Sequence, residues 1–346
     1  MTIQMRATRT AAFLFMFIAV LFTQACTQHE QVKNDINKLS ERLESFTELS
    51  IDGPQLTDHT LKAPAKSSLE QVIPDLQIAM REFYAIDDCP LGQFIAERNT
   101  ALGKTQLPST RFLYEKRLLN TLHDCMQQLQ NEHPMHEKLA SWIAQKQDNL
   151  PLVWVNMLTQ SDELYLAFTT SGGFIAGTSE DGLQETKLAL NYLLEALEAN
   201  SLNSEQLELH MRDLTDTRLP ARMWRTQNLI VNSLPAISKL LERYIDEHAN
   251  QCATAKLEEE LTIMRNIFTL FFADTIQPLA SQLNHYQYQL NPSFELLANN
   301  QYMPPQWSQF IREQYVESAD EYKQTMKKHI ELWQAIFRLC DDKDEA

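Results

Sequence analysis

Glycine is scarce in this chain, with 7 residues among 346. Because a glycine in a helix interior costs about 1 kcal/mol relative to alanine, a chain so poor in glycine favours helix. The glycines from Gly172 to Gly182 lack the G-x-G-x-x-G spacing and a following Gly-Lys-Ser/Thr, which excludes a phosphate-binding loop. We interpret this segment as a flexible connection between two halves of the chain, with a ligand-gating loop as the alternative.

Familiar catalytic and metal-binding motifs are also missing. The chain has no G-x-S-x-G, no H-E-x-x-H and no C-x-x-C. His133 and His136 are close, but Pro134 separates them at an expected helix start and no third ligand has suitable spacing. Carboxylate pairs such as Asp87-Asp88 could catalyse proton transfer, but the sequence does not distinguish this role from that of a solvent-exposed polar helix face. We therefore predict no metal, no cofactor and no particular reaction.

Basic residues are the minority, with 30 Lys and Arg against 46 Asp and Glu and a formal net charge of −16. A surface this acidic repels nucleic acid and anionic lipid, so we predict no nucleic-acid partner. The negative charge is better explained as keeping the protein in solution.

Long apolar runs are limited to one, from Ala11 to Phe22, which follows the basic residues Arg6 and Arg9. This run of 12 is too short for a membrane-spanning helix, which needs about 20 residues, but it is typical of a signal peptide. It ends in Phe22-Thr23-Gln24-Ala25-Cys26, which resembles the lipobox of bacterial lipoproteins, although Thr23 stands where leucine is usual.

The lipobox resemblance implies that residues 1–25 are removed and that Cys26 is acylated, which anchors the protein to a lipid bilayer. Loss of Arg6 and Arg9 changes the net charge from −16 to −18. Thr27, in place of an aspartate, resembles sorting to the outer membrane, so we expect the periplasmic face of that membrane. Soluble secretion and an uncleaved anchor are the alternatives.

Residues 26–346 are predicted to form a single α-helical domain, with a subdivision near 171–182 as the alternative. Apolar residues recur at helical spacing over Asp35–Leu49, Leu183–Ala199, Pro220–His248, Cys252–Leu290 and Pro305–Cys340. This pattern predicts an all-α fold, an irregular multi-helix bundle with long helices kinked at prolines such as Pro235.

Four further segments are assigned with less regular patterns. Ser68–Phe83 is predicted to be helical, with a possible break at Pro74, and another helix is expected from Pro134 to Gln147. Asn149–Thr170 is predicted as two short helices joined near Ser161, although its valines would also suit a strand. Asn291–Met303 is predicted to be the turn between the last two long helices.

Four cysteines follow Cys26, and an even number in an exported protein suggests disulfides, for which three pairings exist. Cys89 and Cys125 lie at nearly equal distances from a break at Gly103–Pro108, as the open ends of a helical hairpin would. Cys252 and Cys340 likewise lie at nearly equal distances along the chain from the Asn291–Met303 break. We therefore favour Cys89–Cys125 and Cys252–Cys340, which would close two hairpins.

The first hairpin carries a distinctive order of residues. It consists of Cys89, Leu91, Glu97-Arg98-Asn99, Leu102-Gly103-Lys104, Pro108-Ser109, Tyr114-Glu115 and Cys125. Together with the signal and the later Trp154–Asn156 and Ser161–Glu163 regions, this order resembles an uncharacterised family of bacterial lipoproteins, the domain-of-unknown-function 3080 group. The resemblance covers the mature chain and implies no activity.

The best candidates for a binding site are the polar residues of this hairpin. They are Glu97, Arg98, Asn99, Ser109, Tyr114 and Glu115. A structural role is the competing interpretation, in which Arg98 pairs with Glu115, Ser109 caps a helix and Asn99 bonds the connecting loop.

We expect a lipid-anchored envelope protein that binds or scaffolds another envelope protein. The alternative is an envelope enzyme acting on peptidoglycan or lipid, with Glu97 or Glu115 as acid or base. A helical ligand carrier, which would need a large apolar cavity, is a third hypothesis.

Overall fold

The computed structural model describes residues 30–51, 61–86, 89–98, 107–129, 133–249 and 255–339. These residues are helical or irregular, and none of them forms a strand, so the predicted all-α class is confirmed. The helices are α1 (Gln31–Thr47), α2 (Lys66–Leu69), α3 (Met80–Ala85), α4 (Leu91–Arg98), α5 (Pro108–Gln128), α6 (His136–Gln160), α7 (Asp162–Thr169), α8 (Leu183–Glu195), α9 (Ser204–Thr217), α10 (Leu219–His248), α11 (Ala255–Phe268), α12 (Ile276–Asn299), α13 (Pro305–Ile311) and α14 (Ser318–Phe337).

The segment between α2 and α3 differs from the prediction, because residues 70–79 are not helical. The Asn156 side chain on α6 accepts from the backbone N–H of Gln71 at 2.7 Å and donates to its carbonyl at 2.8 Å. Asn149 donates to the carbonyl of Pro74 at 3.1 Å. These side chains satisfy backbone groups that a helix would otherwise pair internally, so an irregular chain is stable here.

Helix α6 is longer than predicted, since it runs unbroken through Asn149 and Pro151 to Gln160. The predicted junction at Ser161 is confirmed, and the valines before it are helical. Ser161 does not cap α7 with its side chain, however, and its buried Oγ has no hydrogen-bond partner within the described structure.

The turn before the last helices was predicted too early. Helix α12 continues through Pro292 to Asn299, because Pro292 lies on its exposed side, where water can satisfy the carbonyl that the proline leaves unpaired. The earlier predicted helix is instead interrupted by a π turn at Thr269–Ala273, and a second π turn occupies Arg312–Glu317. The long helices are therefore bent at π turns as well as at prolines.

The buried apolar residues form two clusters. The larger cluster extends from α1 to α14 and is built around the packing of α10 against α14, with Trp154, Ile230 and Trp333 among its members. The smaller cluster lies among α4, α5 and α6 and contains Cys89, Cys125 and Trp142. Within the described ranges, no helix has the length and apolar content that crossing a membrane requires.

The glycine segment is fixed to the body by one buried carboxylate rather than left free. Asp181 accepts hydrogen bonds from the backbone N–H of Ala176 at 2.9 Å and of Gly177 at 2.8 Å. Arg222 on α10 donates to it at 2.5 Å and the Tyr286 hydroxyl on α12 at 3.0 Å. Asp181 is completely buried, so these donors supply the compensation that a buried charge requires.

Candidate functional site

The hairpin predicted from the cysteine spacing is closed by a disulfide between Cys89 and Cys125, whose Cα atoms are 5.6 Å apart. This part of the disulfide prediction is confirmed. Cys252, Cys340 and the predicted lipidation site Cys26 lie outside the described residues. The second disulfide-closed hairpin therefore stays a prediction.

Three of the candidate residues also fall wholly or partly outside the description. Asn99 lies outside it, and the Glu97 and Arg98 positions are described only as the end of α4, without their side chains. The remaining candidates, Ser109, Tyr114 and Glu115, lie on α5.

Ser109 connects the hairpin to the main body instead of capping α5. The residue at the cap position is Leu107, which makes no side-chain cap bond, while Pro108 supplies the first turn. The buried Ser109 hydroxyl donates to a Glu208 carboxylate oxygen on α9 at 2.7 Å. The predicted capping role is therefore wrong, because a charged acceptor from a distant helix lies within reach.

Glu115 lies at the centre of a buried ion triad. Lys146 on α6 is 2.9 Å from one carboxylate oxygen, and Arg111, one helical turn earlier on α5, is 2.5 Å from the other. Glu115 and Lys146 are only 3% and 7% exposed. Removing two charges from water is costly, so the mutual neutralisation of this pair is a condition for packing α5 on α6.

Lys146 was not selected from the sequence, although a signal for it was present. It follows the buried Trp142 and Ile143 by four and three residues, which places it on the apolar face of α6. A lysine on such a face needs an acidic partner, and the buried face of α5 offers Glu115.

Tyr114 belongs to a stack of rings and cations on the outside of α5. Its ring is parallel to that of Phe94 on α4, with centroids 4.8 Å apart and an interplanar angle of 7°. Arg117 lies 5.1 Å from the Phe94 centroid and Arg111 lies 6.0 Å from the Tyr114 centroid. Stacking and cation–π attraction hold α4 against α5.

A small cavity of about 90 Å³ adjoins this stack. Its walls include Leu76, Ile78, Ile95, Tyr114, Leu118 and Lys146. At about 30 Å³ for each water molecule, it has room for a few waters or one small group of a ligand. Among the described residues of its lining, Lys146 is the only charged one, and its ammonium is already paired with Glu115.

Glu115 is not part of the cavity lining and is occupied by two cations. A general acid or base must reach the substrate proton, directly or through one water. The geometry therefore gives the proposed acid–base role of Glu115 no support.

A second lysine on α5 ties the hairpin to the main body. Lys116 donates to the carbonyls of Ala196 and Leu197, at 2.9 and 2.8 Å, where α8 ends. Burial lowers the pKa of the Lys116 ammonium. The carbonyls at the end of α8 lack helical partners and carry partial negative charge, which explains why they attract a cation.

His329 makes a buried hydrogen bond with Ser238. The pair has the residue types of a serine nucleophile and its histidine base, but not the required hydrogen-bond direction. Trp333 can only donate, so its Nε1 bond of 3.0 Å makes His329 Nε2 an acceptor. The neutral ring then carries its proton on Nδ1 and donates to Ser238 Oγ at 2.9 Å. A base that activates serine must accept that bond, so this pair is not a nucleophile with its base.

Side chains that could ligate a metal occur throughout the described residues. Among them, no group of three or more His, Cys, Asp or Glu side chains is arranged to hold a metal ion. His133 Nδ1 accepts a hydrogen bond from the backbone N–H of Met135 at 3.2 Å, which stabilises the start of α6.

The fold and the hairpin together define an all-helical protein whose most distinctive polar residues fasten one helical hairpin to a larger body. Residues 36–343 match the family model described as "Protein of unknown function (DUF3080)". The chain belongs to this family, which confirms the resemblance read from the hairpin residues. No curated protein and no solved structure matches the chain.

Proposed function

We propose that this protein is a lipoprotein, anchored through Cys26 to the periplasmic face of the outer membrane, that binds or scaffolds another protein of the cell envelope. The observation that carries the binding role is the hairpin, which forms a small core with the first half of α6. It is closed by Cys89–Cys125 and held to the body by Ser109 and Lys116. A unit fastened so firmly suits recognition, because little conformational freedom is lost on binding.

The segments around the hairpin core also leave large apolar side chains in water. Val72 is 88% exposed, Tyr84 67% and Leu107 64%. Val72 and Tyr84 lie on the chain whose residues Leu76 and Ile78 pack on the hairpin core. Apolar groups on a rigid element are the usual anchors of a protein interface.

The experiment is in-cell photo-crosslinking of the full-length protein in its native envelope. A photoreactive phenylalanine analogue replaces Val72 or Leu107 in separate strains, and Leu270 of the main body, 58% exposed, serves as the matched control position. We expect one specific protein adduct from Leu107 and from Val72 on the adjoining segment, and none from Leu270. Absence of any such adduct, or an equal adduct from Leu270, would contradict a binding role for the hairpin.

The anchor is tested in the same strains with the variant Cys26→Ala. We expect this variant to leave the membrane fraction, and its adduct to weaken because the anchor no longer concentrates the protein near its partner. Retention of Cys26→Ala in the membrane fraction at the wild-type level would overturn lipid anchoring. That result would leave the hairpin adduct as an independent finding.

A further inference from the structure

A polar groove separates α12 from the second π turn and the start of α14. Its volume is about 580 Å³, within the range of roughly 300–1,000 Å³ that small-molecule sites occupy. Its lining includes Asn284, Gln287, Tyr288, Asn291, Glu295 and Lys323. None of these residues belongs to the hairpin or to the signal segment.

The floor of the groove is a fixed row of side-chain amides. Gln287, 5% exposed, donates to the carbonyl of Tyr315 in the π turn at 2.8 Å and receives a bond from Gln227 at 3.2 Å. Because a carbonyl only accepts, the Tyr315 contact determines which way the Gln287 amide points. π turns frequently occur at functional sites, and here the turn supplies the acceptor that orients the amide.

The row continues outward from Gln287 to the mouth of the groove. Asn291 accepts from Gln287 at 3.3 Å and donates to a Glu295 carboxylate oxygen at 2.7 Å. One amide proton of Asn291 and the second Glu295 oxygen remain for a ligand, and Asn284 makes no side-chain hydrogen bond to any described residue. Donors and acceptors thus alternate along the groove, which matches hydroxyl groups because each hydroxyl both donates and accepts.

Tyr288 places an aromatic ring beside this row. It is 78% exposed and makes no hydrogen bond within the described structure. Asn284, Tyr288, Asn291 and Glu295 follow one another at spacings of three or four residues, which puts them on one face of α12. An aromatic ring beside hydrogen-bonding side chains offers an apolar surface next to polar groups. A sugar ring is complementary, because its C–H face can stack on the aromatic ring while its hydroxyl groups bond the polar side chains.

The charges of the groove favour a neutral ligand. Glu295 and Asp320 contribute two carboxylates, while the one ammonium, that of Lys323, lies 3.2 Å from Asp320. The whole chain carries a formal charge of −16. Phosphates, nucleic acids and acidic sugars would be repelled.

We propose that this groove binds a neutral saccharide chain, with Tyr288 stacked on a sugar ring and Asn284, Asn291 and Glu295 bonded to its hydroxyls. The site goes beyond the function proposed above and depends on neither Cys26 nor the hairpin. Its failure would therefore leave the partner-binding proposal standing, and the reverse also holds.

The test uses the mature chain with Cys26→Ala and measures binding by titration calorimetry. The probes are two neutral trisaccharides, N,N′,N″-triacetylchitotriose and cellotriose, with trigalacturonate and tetraglycine as the anionic and peptide comparisons. We expect at least one neutral trisaccharide to bind and the two comparisons not to bind. Binding of neither neutral trisaccharide, or of tetraglycine or trigalacturonate alone, would overturn the proposal.

Variants at the exposed ring make the test specific. Tyr288→Ala should weaken binding about tenfold, and Tyr288→Phe, which keeps the ring, should stay within about threefold of wild type. Tyr302→Ala, at another exposed tyrosine that does not line the groove, is the matched control and should change nothing. Because Tyr288 is mostly in water, its loss should not disturb folding, and binding that survives Tyr288→Ala unchanged would refute the stacking role.

Discussion

The buried side chain of His329 on α14 is held by Ser238 of another helix and by Trp333 of its own, and its burial has a consequence for pH. Burial lowers its pKa to about 3 from the ordinary 6.5. Between these two pH values the unfolded chain binds a proton that the folded chain does not. Stability from this residue is therefore complete above pH 6.5 and decreases as pH falls, by at most about 1.4 kcal/mol per pH unit.

The variant His329→Gln should remove this contribution. An amide can still accept from Trp333 and donate to Ser238, yet it does not titrate. We expect the variant to be less stable at pH 7 but to lose less stability than wild type between pH 6.5 and 5, as measured by urea unfolding at each pH. Parallel pH profiles for the two proteins would show that His329 does not cause the slope.

The ion triad at Glu115 predicts an asymmetric response to substitution. Lys146→Met leaves the buried carboxylate with Arg111 alone, which should cost roughly 3 kcal/mol. The double variant Glu115→Gln/Lys146→Met removes the two most buried charges and leaves the more exposed Arg111 to water, so it should recover much of that loss. Urea unfolding of the two single variants and the double variant gives the coupling, and additive losses would disprove a mutual neutralisation.

At the scale of elements, the start of α8 depends on one glycine. Gly182 has φ +78°, and a Cβ added there would lie 2.2 Å from Cγ2 of Thr217 at the end of α9. Gly182→Ala should therefore destabilise the protein by roughly 2 kcal/mol or more in thermal unfolding. Gly172→Ala is the control, since nothing lies within 4 Å of its Cβ position. An equal effect of both substitutions would contradict this explanation.

The hairpin disulfide predicts a second effect at the same scale. It closes a sequence separation of 36 residues, for which the chain-entropy model expects about 4 kcal/mol. Cys89→Ala/Cys125→Ala should lower the free energy of unfolding by up to this amount in urea titrations. A fall of less than about 1 kcal/mol would mean that the ion and ring contacts, not the disulfide, hold the hairpin.

The same double variant tests the predicted Cys252–Cys340 pair. If that pair exists, a reductant should destabilise Cys89→Ala/Cys125→Ala further, and thiol titration of the unreduced, denatured variant carrying Cys26→Ala should find no free thiol. Two free thiols would disprove the pair.

For the molecule as a whole, the larger core contains residues from both sides of the glycine segment. Trp154 is one that precedes the segment and Trp333 is one that follows it. Asp181 also binds α10 and α12 together through Arg222 and Tyr286. We therefore expect the two sides to unfold in one cooperative step, with α6 and α14 losing hydrogen-exchange protection at the same denaturant concentration. Separate transitions would instead support a subdivision near 171–182.

The helical class, several helix limits and the hairpin disulfide could be predicted because each depends on nearby residues or on regular spacing. Helix α1 follows the apolar repeat of Ile36, Leu39 and Leu43, and the junction at Ser161 was located correctly. The disulfide followed from two helical arms of similar length. Both kinds of prediction depend only on the spacing of residues along the chain.

The pairings between distant residues depend on tertiary packing and could not be predicted from the sequence. Residues 70–79 are not helical, and Asn149 and Asn156, more than seventy positions after the residues they contact, bond their backbone. Glu115 was recognised as a candidate, but its partner Lys146 was not, and the Tyr315 carbonyl that orients Gln287 has no signal in the sequence. A helical repeat states which side of a helix is buried, whereas the partner it meets depends on how all the helices pack together.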